Sequence, residues 1–365
     1  FGGTERGRIS SQAIKRAVRK SPFVAERLRD KISTRSLHIP QMLFDEMRGQ
    51  FGGDEDRLRA LCEAVTHALG KPDKENPLKT SQIVFLTPDE IARLRGLIAD
   101  KMADGTRLTG KAVKEFGDTI AKATGLDTRP TDAVDMALFG RMTTDEAASF
   151  AAVDAAMQVA HPIATHTTVT ETDYFTAVDD WKAAGGSGGE TDTRGSGHIG
   201  EIDFNSAVYY GYVSCDLDAL ARNLGGDTDA ALEGLAAVLE AFCRVTPSGK
   251  QNSFASHAPA ETVLLVLREA RTPCSLAGAF EAAVPASEQG YVAESTRRML
   301  ARYARLRQAY DLEDRAIAFT VSGQVPASEA YDVADRLADV WAFLRRHAAF
   351  APAGNGAMRS TGHGG

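Results

Sequence analysis

The run Arg8-Ile9-Ser10-Ser11-Gln12-Ala13-Ile14-Lys15-Arg16-Ala17-Val18-Arg19-Lys20 sets hydroxyls, an amide and cations at a spacing suited to holding an anion. Advanced about 100° per residue, as in a helix, Gln12, Lys15, Arg16 and Arg19 share one arc while Ile14, Ala17 and Val18 point the other way. One face docks and the other is basic. Ser10 or Ser11 caps the start, where free backbone N–H groups and the positive end of the helix dipole already favour negative charge. On these residues alone two readings stay open: a polyanion backbone held along the face, or a solvated helix surface.

Other segments carry weaker signals. Pro247-Ser248-Gly249-Lys250-Gln251-Asn252 presents a lysine and two amides on a glycine turn, but lacks the GxxxxGK[ST] spacing of a nucleotide-binding loop. His161 and His166 are spaced H-x4-H and Asp173, Asp179 and Asp180 follow. Pro162 breaks the helix that would align the histidines, so they read as core or interface residues and the aspartates as a solvated turn. Tyr174, Phe175 and Trp181 flank a glycine-rich stretch with little core to fill, which suits stacking on bases or wedging between them. No catalytic residue, metal site or cofactor is expected.

The elements that must position these groups are read from pattern. Residues 8–31 suggest a loop and then one helix. DEDRLRALCEAVTHAL (54–69) is an amphipathic helix with Leu58, Leu61, Val65 and Leu69 on one side. SQIVFL is a short strand, Thr87-Pro88-Asp89-Glu90 starts a capped helix, and another helix covers roughly 108–123, so about 32–130 forms a mainly helical lobe. VDMALFGRM reads as a strand and the alanine-rich stretch from Thr144 to about His161 as a helix. Residues 185–200 hold seven glycines in sixteen positions, which cannot build a core; with strands DYFTAVDD before and IDFNSAVYYGYV after, they suggest a glycine-tipped two-stranded arm. The remainder alternates: strand 207–213, helix 229–243, strand ETVLLVLRE, helices 275–284 and 293–309, strand AIAFTVSG and helix 327–347. The class is α+β.

Composition bounds the function. The 365 residues are 43% hydrophobic and 25% charged, as in globular domains, and no apolar run approaches the ~20 residues of a membrane span. The opening FGGTERGRISS has no leader-like apolar stretch and no Met, so we expect a cytoplasmic chain whose true start lies upstream. Cys62, Cys215, Cys243 and Cys274 stand too far apart for a zinc ribbon or a CxxC pair and read as reduced thiols. Lys and Arg number 42 against 49 Asp and Glu, a net charge of −7, which argues against coating nucleic acid with the whole surface. Arg6 to Lys20, however, carries six basic residues and no acid, leaving −13 on the other 350. One basic site sits on an acidic body.

At these residues the sequence resembles the CasC family, the backbone subunit of Cascade, the type I-E CRISPR surveillance complex. The matching blocks are FGG-x3-GRISSQAIKRAVRKS, ALFGRM, VDAAMQVAHPIATH, DYFTAVDD, GSGHIGEIDFNSAVYYGYVSCDLDAL, NLGGD and PSGKQNSFA, in order from residue 1 to about 260. The resemblance implies a right-hand shape: an RRM-like (ferredoxin-like) palm at 1–26, 146–166 and 205–349, a helical fingers insertion at 27–145, a thumb hairpin at 167–204, and a disordered tail at 350–365. It implies a non-catalytic subunit that polymerises head to tail along CRISPR RNA with other Cascade subunits, leaves guide bases free to pair with a target DNA strand, and involves no membrane. It places RNA contacts on Ser10, Gln12, Lys15, Arg19 and Lys250, and base wedging on Phe175 and Met142. The residue reading adds Arg8, Ser11, Arg16 and Tyr174.

The sequence departs from the family pattern in starting without the first palm strand and in the longer GGSGG run. Two other readings remain: a metal-dependent ribonuclease using Asp173, Asp179 or Asp180, and a self-associating module whose basic helix meets an acidic neighbour.

Overall fold

In the computed structural model, residues 1–126, 131–142, 150–177, 198–269, 272–322 and 325–350 are described. The basic segment forms α1 (Ser11–Arg19), and Ser21 then accepts from the Val24 N–H to open a second helix, α2 (Pro22–Leu28), with Pro22 in its first turn. The expected single helix is therefore two, because a capping serine followed by proline is itself a start signal. Strand β1 (Thr34–Ser36) pairs antiparallel with β2 (Val84–Leu86). Between and after them lie α3 (Ile39–Met47), α4 (Glu55–Leu69), α5 (Pro88–Ala103) and α6 (Lys111–Thr124). Thr87 and Glu90 complete the capping box of α5, and Leu58, Leu61, Val65 and Leu69 are all buried. These helices share a core of their own with Leu43, Leu94, Ile98 and Ile120.

VDMALFGRM is not a strand. Its first six residues form α7 (Val134–Phe139), ending on Gly140, and Arg141 bridges back to Val153. Val134, Ala137 and Leu138 enter one core and Met136 another. A short run that is apolar except for Asp135 and buried on nearly every side carries no period, so helix and strand are indistinguishable in it. The alanine-rich helix expected up to His161 is also absent from the described residues after 149. Met157–Val159 is instead strand β3, followed by β4 (Ile163–Ala164). Pairing with later strands overrides the alanine propensity there.

The arm is strand β5 (Glu171–Ala177) paired antiparallel with β6 (His198–Phe204); its glycine-rich tip, with Asp179, Asp180 and Trp181, lies outside the described residues. Two short strands follow where one was expected: β7 (Tyr209–Tyr210) pairs with β4, and β8 (Val213–Cys215) with β3. Helices α8 (Leu217–Asn223) and α9 (Thr228–Arg244) each start on an aspartate that accepts from a first-turn N–H. With α1, α2 and α7 they surround a core containing Val18, Val24, Leu138 and Leu235. Phe350, the last residue described, packs against that core.

After a one-turn helix α10 (Gln251–Phe254), the main sheet is built from β9 (Thr262–Arg268), β10 (Asp314–Thr320) and β11 (Asp332–Ala334), with helix α11 (Val292–Ala309) crossing over and helix α12 (Leu337–His347) closing the chain. β9 runs antiparallel to β10, and β11 parallel to it. Leu264 and Val266 face α11; Val263, Leu265 and Leu267 face α12, so both sheet faces are covered and the strand reads as continuous apolar sequence. The helix expected at 275–284 is only a 3-10 turn, Ala277–Phe280, and the one expected from 327 begins ten residues later, after β11.

Gly234 of α9 lies against α7: a Cβ there would stand 2.5 Å from Val134 Cγ1, so glycine sets the approach of the two helices. Gly234→Ala gains up to ~1 kcal/mol of helix propensity but overpacks a branched buried side chain, at a cost of about 1–3 kcal/mol. We expect a lower denaturant midpoint; a midpoint equal to or above that of the unsubstituted chain would show that α7 yields.

Candidate nucleic-acid interface

Helix α1 docks through Val18 and Ser11, both buried, and through Ile14, which is half-buried. Ser10 occupies the cap position but makes no side-chain capping bond; its hydroxyl donates to Gln12 Oε1 at 2.7 Å. The first-turn N–H groups thus lack that acceptor, beside an exposed serine and an exposed glutamine. Arg8, Arg16 and Lys20 are also exposed. Arg8 lies in an extended segment tied to β4, with Ile9 N–H donating to Pro162 O and Ala164 N–H to Gly7 O.

The six cations of this segment do not all face outward. Arg6 donates to the carbonyls of Ala164, Thr165, Phe280 and Glu281, a clamp between two chain segments. Arg19, expected on the open arc, has a side chain only 9% exposed; it donates to Ser33 O and lies 3.6 Å from Asp135 Oδ2. Arg35, on β1, lies 3.7 Å from the same oxygen and over the Phe85 ring at 4.5 Å. Asp135 also accepts from Ser33 N–H and Ser33 Oγ, each at 2.7 Å. Lys15 sits at the rim, its Nζ 5.7 Å from the Phe139 ring centre. Burial, and then repulsion from Arg35, lower the Lys15 ammonium. Burial, and then repulsion from Arg19, pull Arg35 down to about 10, while Asp135 acts to raise it.

Sequence reading found Lys15 and Arg19 but missed Arg35, Ser33 and Asp135. One signal was present: an aspartate inside the otherwise apolar run VDMALF needs a buried cationic partner. Arg35 had none, since only the fold carries β1 to α1.

Met142, beyond Gly140 and Arg141 at the end of α7, is 84% exposed. Its neighbour Arg141 is buried, with Nε donating to Ala151 O and Nη1 to Phe85 O and to both Glu90 oxygens. On β5, Tyr174 and Phe175 project to opposite sides, as successive strand residues must. Phe175 lies across Gly200 of β6, where a Cβ would stand 2.4 Å from the ring. Lys250 is exposed in a left-handed conformation at φ 59°; Gln251 braces the loop by donating to Pro247 O and Thr246 Oγ1, so its amide is turned inward. Phe254 of this loop meets Phe204 of β6 at 5.1 Å, joining the loop to the arm.

The remaining candidates are placed as follows. His166 is buried, stacked on Tyr291 at 3.8 Å, and accepts from Val208 N–H through Nε2, which assigns the proton to Nδ1 facing Thr167 O. His161 and Asp173 are exposed. Among the described residues no group of three or more His, Cys, Asp or Glu is arranged to hold a metal. The four cysteines are free, and burial pushes the Cys62, Cys215 and Cys243 thiols up to about 12. Among the described residues no helix is long and apolar enough to cross a membrane.

The family described as CT1975-like protein matches residues 1–341. The chain belongs to the CT1975-like protein family. This CT1975-like chain is 30% identical to a chain of a pre-nicking CRISPR RNA-guided surveillance complex, with a TM-score of 0.76 over 95% of this chain and 92% of that one. A chain of another CRISPR RNA-guided surveillance complex shares the mixed helix-and-sheet fold at 23% identity, with a TM-score of 0.69 over 95% and 91% of the two chains. No curated protein sequence matches the CT1975-like chain.

Proposed function

We propose that this chain is a non-catalytic backbone subunit of a Cascade-type surveillance complex, of type I-E, that holds CRISPR RNA by its phosphates. The observation that carries the reading is the start of α1, which has no side-chain cap and where Ser10, Gln12 and Arg16 are exposed beside Lys15. Such a site grips backbone and leaves Watson–Crick edges unread. The similarity to a chain of an RNA-guided complex supports it.

In this reading the separate helical core is the fingers, the β5–β6 hairpin the thumb, and the rest an RRM-like palm. Met142 and Phe175, exposed on different elements, interrupt base stacking as wedges. Further copies of the chain follow head to tail, other Cascade subunits complete the assembly, and guide segments between wedges pair with target DNA. Chain purified from cells should carry RNA: a 260/280 nm ratio well above that of protein, lowered by ribonuclease and not by deoxyribonuclease. A nucleic-acid-free oligomer would favour the self-associating module instead, and Mg²⁺-dependent cutting of complementary RNA lost in Asp173→Ala would favour the nuclease.

A further inference from the structure

The cationic cluster beneath α1 is unbalanced. Arg19 and Arg35 converge on one carboxylate, Asp135, whose side chain is only 1% exposed and whose oxygens are already occupied by Ser33, and Lys15 stands near enough for Arg35 to repel it. Three positive charges and one negative leave two in excess at a partly buried place, with the Arg19 side chain 9% and that of Arg35 25% exposed, where an unneutralised charge is costly and yet within reach of a ligand. The donors are under-used as well: Nε of both Arg19 and Arg35 is buried with no hydrogen-bond partner. A buried guanidinium N–H without an acceptor is unusual enough to require an explanation. Asp135 cannot supply it, since its contacts to the two guanidiniums are already long, at 3.6 and 3.7 Å.

We infer that Arg35, which no sequence signal singles out, is a further RNA ligand of this chain, and that a phosphodiester oxygen of the bound strand completes the Lys15–Arg19–Arg35 cluster. Asp135 is a positioning residue: with Ser33 it draws the two guanidiniums together, and their unpartnered Nε–H groups are the donors left for the phosphate. The inference rests on the RNA-backbone reading and deepens it. Lys15 and Arg19 belong to α1 and Arg35 to β1, so one phosphate bridges the N-terminal helix and the strand leading into the helical lobe. RNA binding and the docking of these elements are then linked, because a ligand that binds only the docked form stabilises it. Arginine suits the role: its planar fork gives a fixed bidentate geometry that lysine cannot.

The test compares the full chain with Arg35→Ala and Arg35→Lys, using labelled oligouridylate and oligoadenylate over a salt series, and melting temperature with each oligonucleotide or with orthophosphate at matched ionic strength. Loss of one phosphate contact is expected to weaken both oligonucleotides about tenfold and to flatten the salt slope by ~0.7 in Arg35→Ala. Arg35→Lys should keep the slope and recover only part of the affinity, and oligonucleotide should raise the melting temperature of the unsubstituted chain more than that of either variant. A purely structural cluster would instead lower the melting temperature of the free variants and leave the slope of both unchanged, which overturns the inference. Sensitivity to Arg35 in the orthophosphate arm alone would also overturn it, as a free-ion site. If the unsubstituted chain binds neither oligonucleotide, the RNA-backbone reading itself has failed, a result distinct from failure of the Arg35 assignment. Should Arg35→Ala not fold, Arg35→Lys with unsubstituted affinity for both oligonucleotides still refutes the fork.

Discussion

Arg141→Met should unfold well below the unsubstituted chain, and the double variant Arg141→Met/Glu90→Gln should regain much of the loss. Arg141 is 2% and Glu90 5% exposed, and the guanidinium meets the carboxylate at 2.8 Å. Removing one partner leaves a buried charge with Thr87 N–H as its remaining donor, which costs about 3–5 kcal/mol. Set against a typical stability of ~5–15 kcal/mol, that is a large fraction, equivalent to roughly 6–20 °C in melting temperature. Gln at position 90 can still accept from Thr87 N–H and brings no charge, so the double variant tests whether the stranded carboxylate, rather than lost packing against Phe150, is the cause. Melting curves followed by circular dichroism decide it. A single variant within a degree of the unsubstituted chain, or a double variant no better than the single, would refute the argument. The pair also bears on the site: Arg141 fixes the turn from which Met142 projects, so its loss should weaken RNA binding as well.

What could be read in the sequence was whatever is encoded locally. The capping box at Thr87–Glu90 and the stripe Leu58, Leu61, Val65, Leu69 are contained within a few turns of chain, and the structure reproduces both. The β5–β6 pair announces itself through strand-like segments on either side of a glycine-rich stretch. Features set by partners distant in sequence did not show. Helix α7 is buried on all sides and so has no period. β11 is three residues long and is fixed by parallel pairing with β10, for which local sequence provides no signal. The alanines after residue 149 favour helix until β8 claims Met157–Val159.

The site divides in the same way. A helical wheel places Arg19 among the solvent-facing cations, because it registers angle about the axis and nothing of what lies opposite. In the fold, Ser33 and Asp135 cover that part of the arc, and Arg19 becomes part of an internal cluster while Gln12 and Arg16 stay outside. Arg6 is diverted likewise, to four backbone carbonyls. Counting positive charges therefore overstates the open surface, and the choice of variants follows from this correction. Arg19→Ala, like Arg35→Ala, strips Asp135 of a partner and mixes binding with stability, so either is read only beside its lysine variant and a melting curve of the free chain.

Lys15→Ala/Arg16→Ala is the cleaner pair, and it should lower RNA affinity about thirty- to several-hundred-fold without changing which RNA is preferred. Arg16 is exposed and has no counter-ion among the described residues; Lys15 lies at the rim, against Phe139. Neither removal strands a buried carboxylate, so the fold should persist, as an unshifted melting curve of the free variant would show. Each lost charge-assisted contact is worth about 1.5–3 kcal/mol on a phosphate, roughly ten- to a hundredfold if it acts alone, with less than additive loss for neighbours on one helix. Each also releases fewer counterions, so the slope of log affinity against log salt should shrink by about 1.4 for two contacts on single-stranded RNA. The two signatures separate mechanisms: a helix reading bases would lose affinity for one oligonucleotide and not another, and one that only packs against a protein neighbour would show no salt-dependent RNA binding to lose. An equal loss on oligouridylate and oligoadenylate, with the smaller slope, is the expected result. A loss confined to one sequence, or an unchanged slope, would mean that the exposed arc of α1 does not hold the strand by its phosphates.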